Sequence, residues 1–143
     1  MTAEVTVAGV TWLDDHVLLA DAGLAMAMVT AGAQRLVDLR GETKPPGLPV
    51  PIDHFPILDL EPDQDDTILA AARHLAELAN AGRTVGVYCQ AGISRTATVA
   101  IGYLMLGGQS LAEATRAVRR ARPHAMPAAE LWQSLERIER RLS

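Results

Sequence analysis

The sequence predicts an α/β fold, a central and mostly parallel sheet of about four to five strands flanked by helices. Three observations predict it. Short apolar runs rich in Val, Leu and Ile alternate with longer Ala- and Leu-rich segments of helical spacing. Clusters of Gly, Pro and Asp separate the two kinds of segment. The chain has 143 residues, 49% of them apolar, enough to bury one core, so a single domain over 1–143 is expected.

Two short β-like runs, Val5–Val10 and Val17–Leu19, flank the turn-like Asp14-Asp15. Ala-rich Asp21–Ala31 reads as a helix closed by Gly32. Arg35–Leu39 is a short apolar run with the character of a buried strand. Gly41–Pro51 holds four of the eight prolines and must be loop, because proline neither continues a helix nor donates to a ladder. Ile52–Leu58 returns to strand and runs into an acidic loop, Asp59 to Asp66. From Thr67 to Ala81 the apolar residues recur at helical spacing, with Asp65 or Asp66 as N-cap and Gly82 closing. Thr84–Tyr88 is a strand ending at Cys89, and Arg95–Leu106 a buried helix stopped by Gly107-Gly108. Ser110 and Glu113 form a capping box for a helix to about Ala121, and Pro127 opens the last helix, Ala128–Leu142.

Composition excludes several functions. The net charge is −4, which disfavours non-specific binding to nucleic acid or anionic membranes. The charge is uneven, net −8 over 1–114 and net +4 over 115–143, and the arginines from Arg116 to Arg122 read as a solvated helix face. One cysteine permits no internal disulfide and no multi-cysteine metal site. His16, His54, His74 and His124 are scattered without ligand spacing, so no metal and no cofactor is expected. No signal peptide and no apolar run of membrane-spanning length is visible, which sets a cytoplasmic expectation.

Chemistry concentrates in Val87-Tyr-Cys-Gln-Ala-Gly-Ile-Ser-Arg-Thr96, a C-x5-R followed by a hydroxyl, set between a strand and a helix. A loop turning from a strand tip into a helix N-terminus can aim successive backbone N–H groups at one point. Such a nest binds a phosphate dianion. Cys89 at its base sits in the same positive field, which favours the thiolate nucleophile. Arg95 can fork onto two phosphate oxygens, and Gly92 permits torsions closed to other residues. Composition makes Arg at that offset followed by Ser or Thr a coincidence of under ~1%.

This loop resembles the signature H-C-x2-G-x2-R-[ST] of the cysteine-dependent protein tyrosine phosphatase superfamily. The text around it, through Ile101-Gly-Tyr-Leu-Met, resembles the compact dual-specificity branch. Phe55-Pro-Ile-Leu-Asp59 is similar to that branch's acid-delivering strand, Leu36-Val-Asp-Leu to its core strand, and Arg122-Pro to Leu135 to its helical closure. Two departures stand out: Tyr88 replaces the usual histidine, and Ala128 replaces a helix-start asparagine. The resemblance implies metal-independent hydrolysis of a phosphomonoester through a phosphocysteine. Cys89 would attack, and Gln90, Ala91, Gly92, Ile93, Ser94 and Arg95 would hold the phosphate. Asp59 would serve as general acid, with Asp63 as the competing candidate, and Thr96 would assist the departing thiolate.

The uncharged Gln90, Ala91, Ile93 and Ser94 disfavour a polyphosphorylated lipid ring, and the short chain implies a shallow cleft. A phosphorylated protein is therefore the expected partner, with a small phosphorylated metabolite, nucleotide or lipid as the alternative. A phosphate-binding pseudophosphatase and a rhodanese-type sulfurtransferase are the rivals from other classes. Oligomeric state is not encoded in any feature of the sequence.

Overall fold

The structure, a computed structural model, describes residues 7–143. Five strands form one sheet: β1 (Thr11–Trp12), β2 (Val17–Asp21), β3 (Arg35–Arg40), β4 (Ile52–Ile57) and β5 (Val85–Cys89). Their order is β1-β2-β5-β3-β4, parallel throughout except for the β1–β2 pair. The helices are α1 (Ala25–Thr30), α2 (Asp65–Asn80), α3 (Arg95–Leu106), α4 (Leu111–Ala121) and α5 (Ala129–Leu142).

Period-two alternation divides the strand residues between two cores. Val85, Val87 and Cys89 of β5 join Val17, Leu19, Val37 and Leu39 beneath α2, α3, α4 and α5. Tyr88 instead joins Leu18, Ala20, Leu36 and Met28 on the α1 face. Gly86 lies on that face as well, where a Cβ would stand 2.7 Å from Met28 Sδ and 2.8 Å from Leu36 Cδ2. β5 is fully buried between two parallel neighbours, as a central strand of such a sheet must be. Its C-terminal tip therefore has a rigid frame, and the loop after it inherits that rigidity.

Up to Gly32 the structure departs from the sequence reading in two places. Val5–Val10 is not a strand where it is described: Gly9 at φ 81° turns the chain, and Val10 N–H bonds Val7 O. Val5 and Thr6 lie outside the described residues. The helix predicted over Asp21–Ala31 begins later. Asp21 extends β2 beside Cys89, Ala22–Leu24 is a 3-10 turn, and only Ala25–Thr30 is α-helix. The parallel register with β5 outweighs the weak helical preference of Asp21. Gly32 does close that helix, at φ 121°.

Gln64, not Asp65 or Asp66, is the N-cap of α2; both aspartates sit inside its first turn, where the helix dipole favours them. Leu58 and Thr84 lie just outside the strands to which they were assigned. The capping box of α4 forms as expected, with Glu113 N–H donating to Ser110 Oγ and Ser110 N–H to Glu113 Oε1. Every residue of the first two turns of α3, Arg95 through Gly102, is buried. Among the described residues no helix is long and apolar enough to cross a membrane.

Candidate active site

β5 ends at Cys89, and α3 begins at Arg95; the five residues between them curl into a loop. Cys89 is buried, 2% exposed, with its sulfur at the base of that loop. Gly92 N–H donates to Cys89 Sγ at 3.2 Å, and the Thr96 Oγ1 hydroxyl donates to the same sulfur at 3.0 Å. Two donors thus converge on one buried sulfur. Gly92 reaches this position only at φ 68°, and a Cβ there would lie 2.8 Å from the Ala20 carbonyl. The position requires glycine for both reasons.

Ser94, the N-cap of α3, does not cap it with its side chain. Its Oγ accepts instead from Ala128 N–H at 2.8 Å. Position 128 thus still grips the loop, through backbone, although alanine stands where the resemblance led one to expect asparagine. Ile93 O accepts from Met126 N–H at 2.9 Å, and Gln90 O from Ala22 N–H at 3.3 Å. Gln90 Oε1 accepts from Arg40 Nη1 at 3.3 Å.

Arg95 is buried, and its guanidinium is held at one edge only. Nη1 and Nη2 donate to the two carboxylate oxygens of Glu42 at 2.6 and 2.9 Å, and Nη1 also donates to Ile57 O at 3.0 Å. Nε is buried without a hydrogen-bond partner, 3.8 Å from Asp59 Oδ2. Asp59 Oδ1 is likewise buried and unpartnered. The Arg95 fork holds the Glu42 carboxyl at about 2, well below the usual carboxylate range. A guanidinium pinned end-on in this way presents its Nε–Nη2 edge for a second oxyanion.

The predicted site residues Cys89, Gln90, Ala91, Gly92, Ile93, Ser94, Arg95, Thr96 and Asp59 are brought together around this loop. Asp63 is not among them: it is exposed at φ 61°, and its charge acts on Arg137 of α5. Tyr88 is fully buried on the opposite face of the sheet, with the Arg40 guanidinium 5.4 Å from its ring. Burial and the neighbouring Asp38 carboxylate push its phenol far above the ordinary value, without a well-aligned hydrogen bond to the hydroxyl.

Two contributors escaped sequence reasoning. Glu42 lies in the proline-rich loop, where nothing in the spacing couples it to Arg95, 53 residues away. Arg122, read with its neighbours as a solvated face, turns inward and donates from Nε to Gly92 O at 2.7 Å. Its one sequence signal is Pro123, which ends α4 and sets the preceding residue in extended backbone. Among the described residues no three His, Cys, Asp or Glu side chains converge as metal ligands would.

Comparison with known proteins bears on this arrangement. Residues 48–141 match the family model of the dual specificity phosphatase catalytic domain. Dual specificity phosphatase 28 of Homo sapiens is 33% identical over 128 residues, 85% of this chain and 70% of that protein. The Mus musculus protein of the same name is 32% identical, over 85% and 76%. The crystal structure of human DUSP28 superposes with a TM-score of 0.84 at 28% identity, covering 98% of this chain and 99% of that one. A mouse putative dual specificity phosphatase complexed with zinc tungstate gives 0.85 at 28% identity, over 99% and 93%. Tk-PTP in its active form gives 0.82 at 26% identity, over 95% and 99%. The sheet order, the cysteine loop at the tip of its central strand and the sequence match lead to one assignment: the chain belongs to the dual specificity phosphatase family, and it is a cysteine-dependent protein phosphatase.

Proposed function

We propose that Cys89 is the nucleophile of a two-step phosphomonoester hydrolysis and that residues 1–143 form a single catalytic domain. The observation that carries this reading is the convergence of Thr96 Oγ1 and Gly92 N–H on one buried sulfur beside the free edge of Arg95. Cys89 Sγ attacks phosphorus along the line opposite the leaving oxygen. The loop amides from Gln90 to Ser94 and the Arg95 Nε–Nη2 edge hold the equatorial oxygens. Asp59 protonates the leaving oxygen, so the alcohol departs and a phosphocysteine remains. Water then attacks that intermediate, Asp59 takes up the proton, and Thr96 donates to the thiolate as it leaves.

The substrate we infer is a phosphotyrosyl protein, with phosphoseryl and phosphothreonyl side chains also admitted. Support comes from the uncharged loop side chains Ala91 and Ile93, both exposed, which offer apolar contact and no extra cation for a polyphosphorylated ring. The tungstate that accompanies the mouse relative is a tetrahedral oxyanion of phosphate-like shape. A thiolate that must stay reduced suits a cytoplasmic setting. The test is hydrolysis of phosphotyrosyl, phosphoseryl and phosphoinositide substrates with EDTA present, alongside Cys89→Ser. Wild-type turnover on phosphotyrosine, and less than ~1% of it in Cys89→Ser, is expected. Residual turnover above that level sinks the covalent mechanism, and a preference for the phosphoinositide sinks the substrate assignment.

A further inference from the structure

Three carbonyls of the phosphate loop are pulled outward by donors from three other parts of the chain. Gln90 O accepts from Ala22 N–H, Ile93 O from Met126 N–H, and Gly92 O from Arg122 Nε. In a trans peptide the carbonyl and the following N–H point in opposite directions. Turning those three carbonyls out therefore turns the N–H groups of Ala91, Ser94 and Ile93 inward, toward the concave side of the loop. Two of the three donors are backbone groups, while the third belongs to a side chain.

We propose that Arg122 is a positioning residue for the phosphate loop, turning the Gly92–Ile93 peptide so that Ile93 N–H faces the substrate phosphate; this rests on the phosphatase reading above. The arginine is placed for that role by its own surroundings. Pro123 holds its backbone extended, at φ −142° and ψ 90°, where α4 ends. Its Nη1 donates to Gly9 O at 3.1 Å and to Thr11 Oγ1 at 3.2 Å, so the guanidinium is fixed at its far end before it meets the loop. Its Nη2 would stand 2.7 Å from a Cβ at position 92. The guanidinium and the Gly92 peptide thus pack against each other. Arg122 touches neither substrate nor the reacting atoms; it acts through one amide and brings a positive charge to the outside of the nest.

Removing one preorganised oxyanion donor costs on the order of 10²–10³ in kcat, and misaiming one costs less. Arg122→Ala should therefore lower kcat on p-nitrophenyl phosphate by about 10–100-fold and weaken inhibition by inorganic phosphate about 10-fold. Arg122→Lys, which keeps the charge and one donor, should recover part of both. Arg137→Ala is the matched control, since it breaks a bidentate pair with Asp65 far along the chain from the loop. It should lower Tm and leave phosphate inhibition as in wild type. Arg122→Ala with kcat and phosphate inhibition within twofold of wild type overturns the proposal, as does an equal loss of phosphate inhibition in Arg137→Ala. Should Arg122→Ala fail to fold, Arg122→Gln, which keeps an N–H donor without the fork, is read by the same two outcomes. An inactive wild-type enzyme would instead count against the phosphatase reading, so the two failures are distinguishable.

Discussion

At Arg95 the two edges of one guanidinium have different partners. Glu42 and Ile57 O hold the end-on edge, while Nε makes no hydrogen bond and has only Asp59 Oδ2, 3.8 Å away. Glu42→Gln should loosen that grip, raising KM more than it lowers kcat, because the guanidinium remains present but no longer aimed. The pair also has a pH signature. Glu42 sits at about 2 in the folded protein and near 4.5 unfolded, so its stabilisation is complete above about pH 4.5. It is lost as pH falls toward 2, and thermal melts of Glu42→Gln should lack that part of the acid decline. Asp59 and Asp63 separate by position. Asp59→Asn should cost ~10²–10⁴-fold on phosphotyrosine, and Asp63→Asn, on an exposed turn, should cost little. Steady-state rates with a poor leaving group decide between them, and the reverse ranking transfers the role to Asp63.

Elements matter here through their ends. β5 delivers Cys89 because period two sends its side chain to the helix-covered face and Tyr88 to the other. A histidine at position 88 would occupy that same α1 face, among Asp38 and Arg40, and would reach the sulfur only through backbone. The loop joining β5 to α3 has no slack at Gly92. Gly92→Ala places a Cβ 2.7–2.8 Å from Arg122 Nη2 and the Ala20 carbonyl, at a positive φ. The backbone must shift, turning the Gly92 N–H away from Cys89. We expect this variant to stay folded and to lose at least ~10²-fold in kcat/KM, read by p-nitrophenyl phosphate hydrolysis beside a circular dichroism melt. Full activity in Gly92→Ala would show that the loop can choose another path.

Ion pairs between elements set how the whole molecule responds to acid. Arg35 forks onto Asp53 across β3 and β4, and His74 of α2 approaches the same carboxylate at 2.6 Å. Arg137 of α5 forks onto Asp65 at the start of α2. Both carboxyls are held below their ordinary value, chiefly by those arginine hydrogen bonds. A depressed folded pKa stabilises above the unfolded value and loses that contribution as pH falls below it. Tm should therefore be flat from neutrality to about pH 5 and fall below about pH 4. Asp53→Asn with Asp65→Asn should flatten the acid limb while lowering Tm at neutrality. An acid limb unchanged in the double variant would assign it to other carboxylates.

Local pattern alone determined the strand–helix alternation, the proline-rich loop, the capping box at Ser110 and the Cys89 to Thr96 loop. Each depends on residues close in sequence, where periodicity, caps and turn chemistry act directly. The rhodanese alternative, which the C-x5-R-T spacing already disfavoured, fell to the family match and not to any single residue. Tertiary structure decided what pairs distant residues. Asp21 is strand because β5 lies beside it, and Arg122 left its apparent solvated face because Gly92 O stands within reach of its bend at Pro123. Glu42 meets Arg95 only after β3 and β5 align in parallel and the loop after β3 folds over the tip of β5. Partners 30 and 53 residues apart leave no spacing signal, because what joins them is the register of the sheet and the path of two loops.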